Sequence, residues 1–129
     1  IITPHIMEMS RLTGKTVSDI KEHMIETAKE YAIQHSCICI LKDARTVVTD
    51  GQKVYINCTG NDGMSTGGSG DVLTGLIAGM AAIGLDAFDA ACLSVYVHGK
   101  AGDLAAQQKG RTGMTASDIA EAIAYVLKR

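Results

Sequence analysis

The sequence lacks an excess of charge of either sign. It has 12 Lys and Arg residues against 14 Asp and Glu, which gives a formal net charge of -2 over 129 residues. A surface that follows nucleic-acid phosphates needs clustered basic residues, whereas the basic residues here are scattered along the chain. The composition therefore argues against a nucleic-acid partner.

Also absent is any stretch that resembles a signal peptide or a membrane span. Apolar residues nevertheless make up 47% of the chain, which is enough for one packed interior at this length. No repeat or linker divides the sequence, so residues 1–129 are predicted to belong to a single domain. We expect a cytoplasmic protein with no membrane partner.

The cysteines do not form a metal-binding pattern. Cys37 and Cys39 are close in sequence, but Cys58 and Cys92 do not supply a second pair of matching spacing. We expect all four to be small buried side chains, because free cysteine is among the most buried residue types. No protein-ligated metal site is predicted.

The chain begins Ile1-Ile2-Thr3-Pro4, with no initiating Met. Two isoleucines before Thr-Pro are typical of the end of a strand, and Pro4 ends it. We therefore expect earlier strands of the domain to precede Ile1, so that this chain supplies the C-terminal part.

Apolar residues recur at helical spacing in five segments. The predicted helices cover residues 6–13, Thr16 to Ala32, Asp71 to Ile83, Ala87 to Gln108, and Thr115 to Leu127. The third helix has no charged residue after its first position, so we expect it to be buried on most sides. Its Gly75 and Gly79 would allow a neighbouring element to approach closely.

Three segments have the composition of strands. The apolar run Cys37–Lys42 is predicted to be a buried strand with parallel neighbours, because helical segments flank it. Residues 46–49 and 53–57 are predicted to be shorter strands joined at Asp50-Gly51, a dipeptide typical of hairpin turns. The combination indicates an α/β layered fold.

The most informative stretch is the glycine-rich segment Asn61–Asp71. Glycine lets the backbone approach a ligand and adopt positive φ. The free N–H groups at the start of the helix that follows favour an anion. The segment therefore predicts a site for a phosphoryl group.

Asp71 stands at the end of this segment and has two interpretations. It could cap the helix and complement its dipole. It could instead be the base that takes a proton from a hydroxyl attacking phosphorus. The density of glycine and the apolar helix behind it favour the second interpretation.

Four elements of the sequence resemble those of the NAD(P)H-hydrate dehydratases. They are Thr3-Pro4-His5 with Glu8, Leu41-Lys42 with Thr46, Gly60–Gly75, and His98–Asp103. Gly60–Gly75 matches the family signature G-N-x-G-M-[AS]-T-G-G-S-G-D-V-L-[TS]-G almost residue for residue. These elements follow one another in the family's order, so the chain is identified as a member of this family.

The resemblance implies a ribokinase-like three-layer α/β/α fold, of which residues 1–129 would form the C-terminal half. It also implies the repair of NADH and NADPH whose nicotinamide ring has been hydrated. ADP (ATP in eukaryotic relatives), accompanied by Mg²⁺, would phosphorylate the hydrate hydroxyl, and elimination of phosphate would restore the ring. The implied partners are hydrated NADH or NADPH and an adenine nucleotide, in a homo-oligomer. Some family members carry a fused NAD(P)H-hydrate epimerase.

Site residues follow from the resemblance by position. Asp71 would be the catalytic base and, with His5, would contact the hydrated dinucleotide. The phosphoryl anion hole would consist of Gly67, Gly68, Ser69 and Gly70. The nucleotide would be bound by Lys42, Asp43, Ala44, Arg45, Thr46, Asn61 and Gly70, although Asp43 stands where the family usually has glycine. His98, in an apolar helix, is expected to be a hydrogen-bonded core residue.

Two other functions stay open at this level. One is a small-molecule kinase of the same superfamily that acts on a vitamin precursor or a sugar. The other is a nucleotide-binding module without catalysis. A stable phosphorylated product would indicate the kinase, and nucleotide binding without turnover would indicate the module.

Overall fold

The computed structural model describes residues 1–128. Its helices are α1 (Ile6–Thr13), α2 (Val17–Glu22), α3 (Met24–His35), α4 (Ser69–Ala82), α5 (Ala87–Lys109) and α6 (Ala116–Val126), with a 3-10 helix at Asp62–Met64. Its strands are β1 (Cys39–Leu41), β2 (Val47–Thr49) and β3 (Val54–Ile56), arranged in the order β1-β2-β3. Within the described residues, no helix has the length and apolar character needed to cross a membrane.

The sheet forms the middle layer between two groups of helices. Cys39 and Leu41 of β1 pack with Met9 in the core that α1, α2 and α3 share with the sheet. Ile40, which lies between them, packs with Leu73 in the core that α4 and α5 share with the sheet. Successive strand residues point to opposite faces, so the burial of all three β1 residues means that both faces are covered. The layered α/β arrangement expected from the sequence is present.

Helix α5 connects two of the cores. Its Ala91 and Val95 pack against the sheet, and its Ala101 and Ala105 pack in a third core with α6 residues such as Ile119. Small side chains on α5 let both neighbours approach closely. This long helix therefore provides a rigid surface beside the glycine-rich segment.

The first strand has a parallel neighbour on one side only. Ile2 forms a parallel bridge with Cys39, and the Ile40 N–H donates to the Ile2 carbonyl at 2.9 Å. On the other side β1 pairs antiparallel with β2, so the expectation of parallel neighbours is wrong there. The connection of residues 42–46 is too short for the crossover that a parallel pair requires. The hairpin at Asp50-Gly51 is confirmed, with β2 and β3 antiparallel.

The helix predicted from Thr16 to Ala32 is two helices, α2 and α3. The chain leaves helical geometry at His23, where φ is -129° and ψ is 46°. Ile20 before the break and Ala28 after it belong to the same core. The apolar pattern therefore continues across the break, and periodicity alone does not show it.

Helix α4 is buried on one face only, contrary to the expectation from its lack of charge. Leu73, Ile77 and Met80 are buried. Gly75 and Gly79 are exposed, and no described atom would lie within 4 Å of a Cβ added to either. An uncharged outer face made of glycine, alanine and threonine does not require burial, so composition overstated how much of this helix is covered.

The cysteines differ in exposure. Cys39 is buried, Cys37 and Cys92 are partly buried, and Cys58 is exposed, so the expectation of four buried cysteines is wrong for Cys58. Burial raises the pKa of the Cys39 thiol to about 12 and is the main cause that raises the pKa of Cys92 to about 11. Both thiols are therefore neutral near pH 7.

The chain from Thr59 to Met64, which leads into the glycine-rich segment, crosses α5 at two glycines of that helix. A Cβ added to Gly99 would lie 2.7 Å from the Thr59 carbonyl carbon and 2.8 Å from its oxygen. A Cβ added to Gly102 would lie 2.7 Å from Met64 Cγ. These separations are shorter than van der Waals contact, so the segment reaches α5 only because both positions lack a side chain.

Replacing Gly99 by alanine should therefore destabilise the protein. We expect Gly99→Ala to lower the free energy of unfolding by about 1–3 kcal/mol, because the methyl group overlaps backbone atoms that cannot rotate away. The control Gly75→Ala adds a methyl group in open space on α4 and should raise stability by up to about 1 kcal/mol. Urea unfolding measures both, and equal small effects would contradict the close contact.

Candidate functional site

A cleft of about 670 Å³ opens beside the glycine-rich segment. This volume lies within the range of small-molecule sites. Its walls come from the start of α1, the connection between β1 and β2, the segment after β3, and the start of α4. Leu73, Val95 and His98 contribute to its lining from α4 and α5. Elements far apart in the sequence therefore meet at one place.

Most of the residues predicted for the site line this cleft. They are His5, Lys42, Asp43, Ala44, Thr46, Asn61, Ser69 and Gly70. Arg45, Gly67, Gly68 and Asp71 are exposed and do not line it. Asp71 directly follows Gly70, so it stands at the edge of the cleft.

A parallel bridge between His5 and Lys42 places two of the family elements side by side. The Lys42 N–H donates to the Pro4 carbonyl at 2.8 Å. His5 Nδ1 accepts from the Glu8 N–H at 3.1 Å, and Glu8 Oε2 accepts from the His5 N–H at 2.8 Å. This last bond is the main cause that lowers the pKa of Glu8. Since Nδ1 is an acceptor, the imidazole proton of neutral His5 is on Nε2.

Lys42 brings a positive charge to the start of α4. A Cβ added to Gly70 would lie 3.5 Å from Lys42 Nζ. In the described part of the chain, no carboxylate is within ion-pair distance of this ammonium group. A helix N-terminus is itself electropositive. A cation held beside it without a counter-ion makes a strong site for an anion such as a phosphoryl group.

The start of α4 offers backbone donors to the same anion. Gly68, with φ of 89°, turns the chain into the helix, a conformation that favours glycine. The Ser69 N–H already donates to the Thr66 carbonyl at 3.3 Å. The N–H groups of Gly70 and Asp71 have no acceptor among residues 1–128. Within α4, these two amides are therefore available as donors to a bound phosphoryl group, and the N–H groups of Gly67 and Gly68 before the helix likewise have no acceptor among residues 1–128.

Asp71 does not cap its helix with a hydrogen bond. Helix α4 has Gly68 at its N-cap and no side-chain capping bond. Asp118, three residues after the N-cap of α6, does form one, because its Oδ2 accepts from the Thr115 N–H at 2.8 Å. The capping interpretation of Asp71 thus reduces to an interaction with the helix dipole. Its exposed carboxylate is available to a ligand.

Asp103 of α5 holds the first end of the glycine-rich segment. Its Oδ2 accepts from the Gly60 N–H at 3.0 Å, and its Oδ1 accepts from Asn61 Nδ2 at 3.1 Å. Asn61 Oδ1 accepts from the Gly63 N–H at 3.0 Å. Both ends of the Asn61 side-chain amide are therefore already hydrogen-bonded, one to α5 and one within the segment, and a contact between Asn61 and a nucleotide stays a prediction.

His98 of α5 holds the other end. Its Nε2 lies 3.0 Å from the Ser69 carbonyl oxygen and 3.5 Å from Ser69 Oγ. Burial lowers the pKa of His98, the Ser69 bond raises it, and the charge of Lys42 lowers it again. His98 is thus the hydrogen-bonded core residue that the sequence predicted.

Gly99, Gly102 and Asp103 have no role of their own among the functions predicted from the sequence. Their spacing of i, i+3 and i+4 places them on one helix face. Two glycines and a carboxylate on one face of an otherwise good helix are a detectable sign that another backbone segment docks there. The spacing of these three residues is therefore the feature of the sequence from which their role could have been predicted.

The described residues contain no group of three His, Cys, Asp or Glu side chains placed to hold a metal ion. Asp43 and Asp62 do line the cleft. One or two carboxylates suit Mg²⁺, which usually binds proteins together with nucleotide phosphates and keeps several waters. The residues present therefore fit a magnesium–nucleotide complex.

Lys42 should contribute strongly to nucleotide affinity. We expect Lys42→Gln to raise the Kd for ADP about 10- to 100-fold, because a charge-assisted hydrogen bond to phosphate is lost. Lys21→Gln removes an exposed charge outside the cleft and should leave the Kd unchanged. Calorimetric titration measures both, and equal Kd values for the two variants would rule out a phosphate contact by Lys42.

Asp103 should control the mobility of the segment. In Asp103→Ala, we expect amide hydrogen exchange at Gly60 to accelerate at least about tenfold, because its acceptor is lost. Asp62→Ala removes an exposed carboxylate of the same segment, paired with Arg111 at 3.1 Å, and should leave that exchange rate unchanged. Unaltered Gly60 exchange in Asp103→Ala would show that the bond does not restrain the segment.

Comparison with known proteins confirms the family that the sequence resembles. The sequence profile of the NAD(P)H-hydrate dehydratase family matches residues 1–125. The chain is 52% identical to a bifunctional NAD(P)H-hydrate repair enzyme of Moorella thermoacetica, in a match covering 99% of this chain and 24% of that enzyme.

Solved structures share the fold. The ADP/ATP-dependent NAD(P)H-hydrate dehydratase from Bacillus subtilis, co-crystallised with ATP and Mg²⁺, is 33% identical with a TM-score of 0.91, over 96% of this chain and 45% of that one. A ribokinase-like superfamily protein from Enterococcus faecalis is 29% identical with a TM-score of 0.82, over 96% of this chain and 42% of that one. The expected ribokinase-like fold is thereby confirmed. The chain spans less than half the length of these proteins.

Proposed function

Since the chain belongs to the NAD(P)H-hydrate dehydratase family, we propose that its cleft serves the nucleotide-dependent repair of hydrated NADH and NADPH. The enzyme is then a carbon–oxygen lyase that uses ADP or ATP with Mg²⁺. The observation that carries the proposal is the unpaired Lys42 ammonium beside the free amides of Gly70 and Asp71. Such an arrangement binds a phosphoryl group and stabilises the charge that develops on it during transfer.

The nucleotide occupies the side of the cleft formed by the connection between β1 and β2. Thr46 Oγ1 donates to the Asp43 carbonyl at 3.3 Å, which closes this connection into a compact turn. Lys42 at its start reaches the phosphates, Ala44 and Thr46 contact the rest of the nucleotide from the cleft wall, and the exposed Arg45 contacts it from outside the cleft. Asp43 is exposed, so its carboxylate in place of the usual glycine need not obstruct binding.

The hydrated dinucleotide occupies the side nearer His5 and Asp71. His5 Nε2 carries the proton, because Nδ1 accepts from the Glu8 N–H. Its neighbour Glu8 Oε1 is at 3.5 Å, longer than an ordinary hydrogen bond, so this N–H can donate to the substrate. Asp71 removes the proton of the hydrate hydroxyl. The hydroxyl oxygen then forms a bond to the terminal phosphorus, and the bridging P–O bond breaks, releasing AMP from ADP.

Restoration of the ring follows from that phosphate ester. Its C–O bond breaks, phosphate leaves with the oxygen, and the adjacent carbon loses a proton to give the ring double bond. The amides of Gly70 and Asp71, with the ammonium of Lys42, stabilise both the transferred and the departing phosphate. Mg²⁺, when bound with the nucleotide, supplies further charge neutralisation to the phosphates.

Cellular location, oligomeric state and domain fusion belong to the same proposal. We propose a cytoplasmic homo-oligomer whose chain can be fused to an NAD(P)H-hydrate epimerase. The relative from Moorella thermoacetica, described as bifunctional, supports the fusion.

The direct assay uses the protein as its gene encodes it. Incubation with hydrated NADPH, ADP and Mg²⁺ should restore the absorbance of NADPH and release AMP and phosphate. A stable phosphorylated product without recovery would instead indicate a small-molecule kinase of the same superfamily. Nucleotide binding without any turnover would indicate a binding module.

Asp71→Asn tests the base. We expect kcat to fall by about 10²–10⁴-fold, because general-base assistance is lost. Asp89 provides a matched control, since it is an acidic residue in the first turn of α5 as Asp71 is in that of α4. Asp89→Asn should leave kcat unchanged, and equal kcat values for the two variants would show that Asp71 acts only on the helix dipole.

A further inference from the structure

The bond between His98 and Ser69 acts on a peptide group of the anion site. The Ser69 carbonyl and the Gly70 N–H belong to one peptide unit, and the chain has no cis peptide bond in its described residues. In a trans peptide the C=O and N–H point in opposite directions. A donor that holds the Ser69 carbonyl oxygen therefore helps to fix the direction of the Gly70 N–H at the start of α4, where Gly70 lines the cleft.

The chemistry of this contact determines the tautomer of His98. A carbonyl oxygen can only accept, so Nε2, at 3.0 Å from Ser69 O, carries the proton. A carbonyl oxygen has two lone pairs, so it can accept this bond in addition to the one within the helix. His98 and Ser69 are both buried, at 9% and 8% exposure. Both residues also line the cleft, so the imidazole is the donor that the protein itself supplies to this oxygen at the cleft wall.

A hydrogen bond accepted by the carbonyl also polarises its peptide group. The N–H of a peptide whose oxygen already accepts a bond is a stronger donor, by roughly 10–30% in condensed-phase systems. The Gly70 N–H has no acceptor among the described residues, so this added strength is available to a bound phosphoryl group. Its benefit is largest when charge builds up in the transition state.

We propose that His98 is a positioning residue that orients and polarises the Gly70 amide for the transferred phosphoryl group. It does so from α5, through the peptide group that joins Ser69 to Gly70. The proposal rests on the proposed function, since it concerns the phosphoryl-transfer step of the same site. It assigns the histidine of the HGKAGD segment a part in catalysis rather than in packing alone.

Three variants separate this role from packing. His98→Leu keeps the volume and removes the donor, whereas His98→Gln places an N–H donor at a similar distance from the backbone. Ser94→Ala is the matched control, because Ser94 is fully buried on α5, one turn before His98, and its Oγ has no partner. Each is made in the protein as its gene encodes it, and the melting temperature is recorded.

The expected kinetic effect is a loss of kcat in His98→Leu that is largely reversed in His98→Gln. We expect His98→Leu to lower kcat about tenfold or more and to change the KM for ADP less than about threefold, because the interaction strengthens in the transition state. His98→Gln should recover kcat to within about threefold of that of the unaltered protein. Ser94→Ala should have the same kcat as the unaltered protein. Unchanged kcat in His98→Leu, or equal loss in His98→Gln with an intact fold, overturns the proposal.

A spectroscopic measurement decides the question independently of turnover. Nitrogen-15 spectra of labelled histidine should show His98 protonated at Nε2, and the Gly70 amide proton should shift upfield in His98→Leu and return in His98→Gln. An Nδ1-protonated His98, or a Gly70 shift that does not respond, overturns the proposal. If the unaltered protein does not repair hydrated NADPH while these spectra appear as expected, the proposed function fails and the orientation of the amide stands.

Discussion

The whole site depends on one close contact, where the glycine-rich segment lies against α5. Gly99 and Gly102 carry no side chain, so the backbone at Thr59 and the side chain of Met64 can reach the helix. At that distance the Asp103 carboxylate can accept bonds at the beginning of the segment. Helix α5 packs in two cores, so it provides a fixed support for the segment.

The electrostatics of the cleft follow from this placement. Lys42 belongs to a different layer, next to the first strand, yet its ammonium reaches the start of α4. Burial and, to a smaller extent, the charge of Lys42 lower the pKa of His98, which favours a neutral imidazole and leaves Lys42 as the positive charge beside the start of α4. A phosphoryl group would meet a cation and two free amides that are already oriented, which is the condition under which electrostatic stabilisation is most effective.

The sequence predicted many of the residues that line the cleft, but not the contacts that hold them in place. The density of glycine before a helix is a local signal for a phosphoryl site, whereas Lys42 was predicted only through the resemblance to the family. The contribution of Asp103 arises from contacts across more than forty residues of sequence, which a local pattern does not contain. The break at His23 and the open face of α4 were missed for a related reason, since an apolar period records which residues face a core and not where a helix bends or what covers its other side.

The proposed chemistry requires the free amides at the start of α4 to bind phosphate. Titration of nitrogen-15 labelled protein with ADP, followed by the amide chemical shifts, measures this binding at each residue. We expect Gly70 and Asp71 to show the largest saturable shifts, with the same dependence on ADP concentration as the Lys42 amide. Largest shifts at the start of another helix, with Gly70 and Asp71 unaffected, would contradict it.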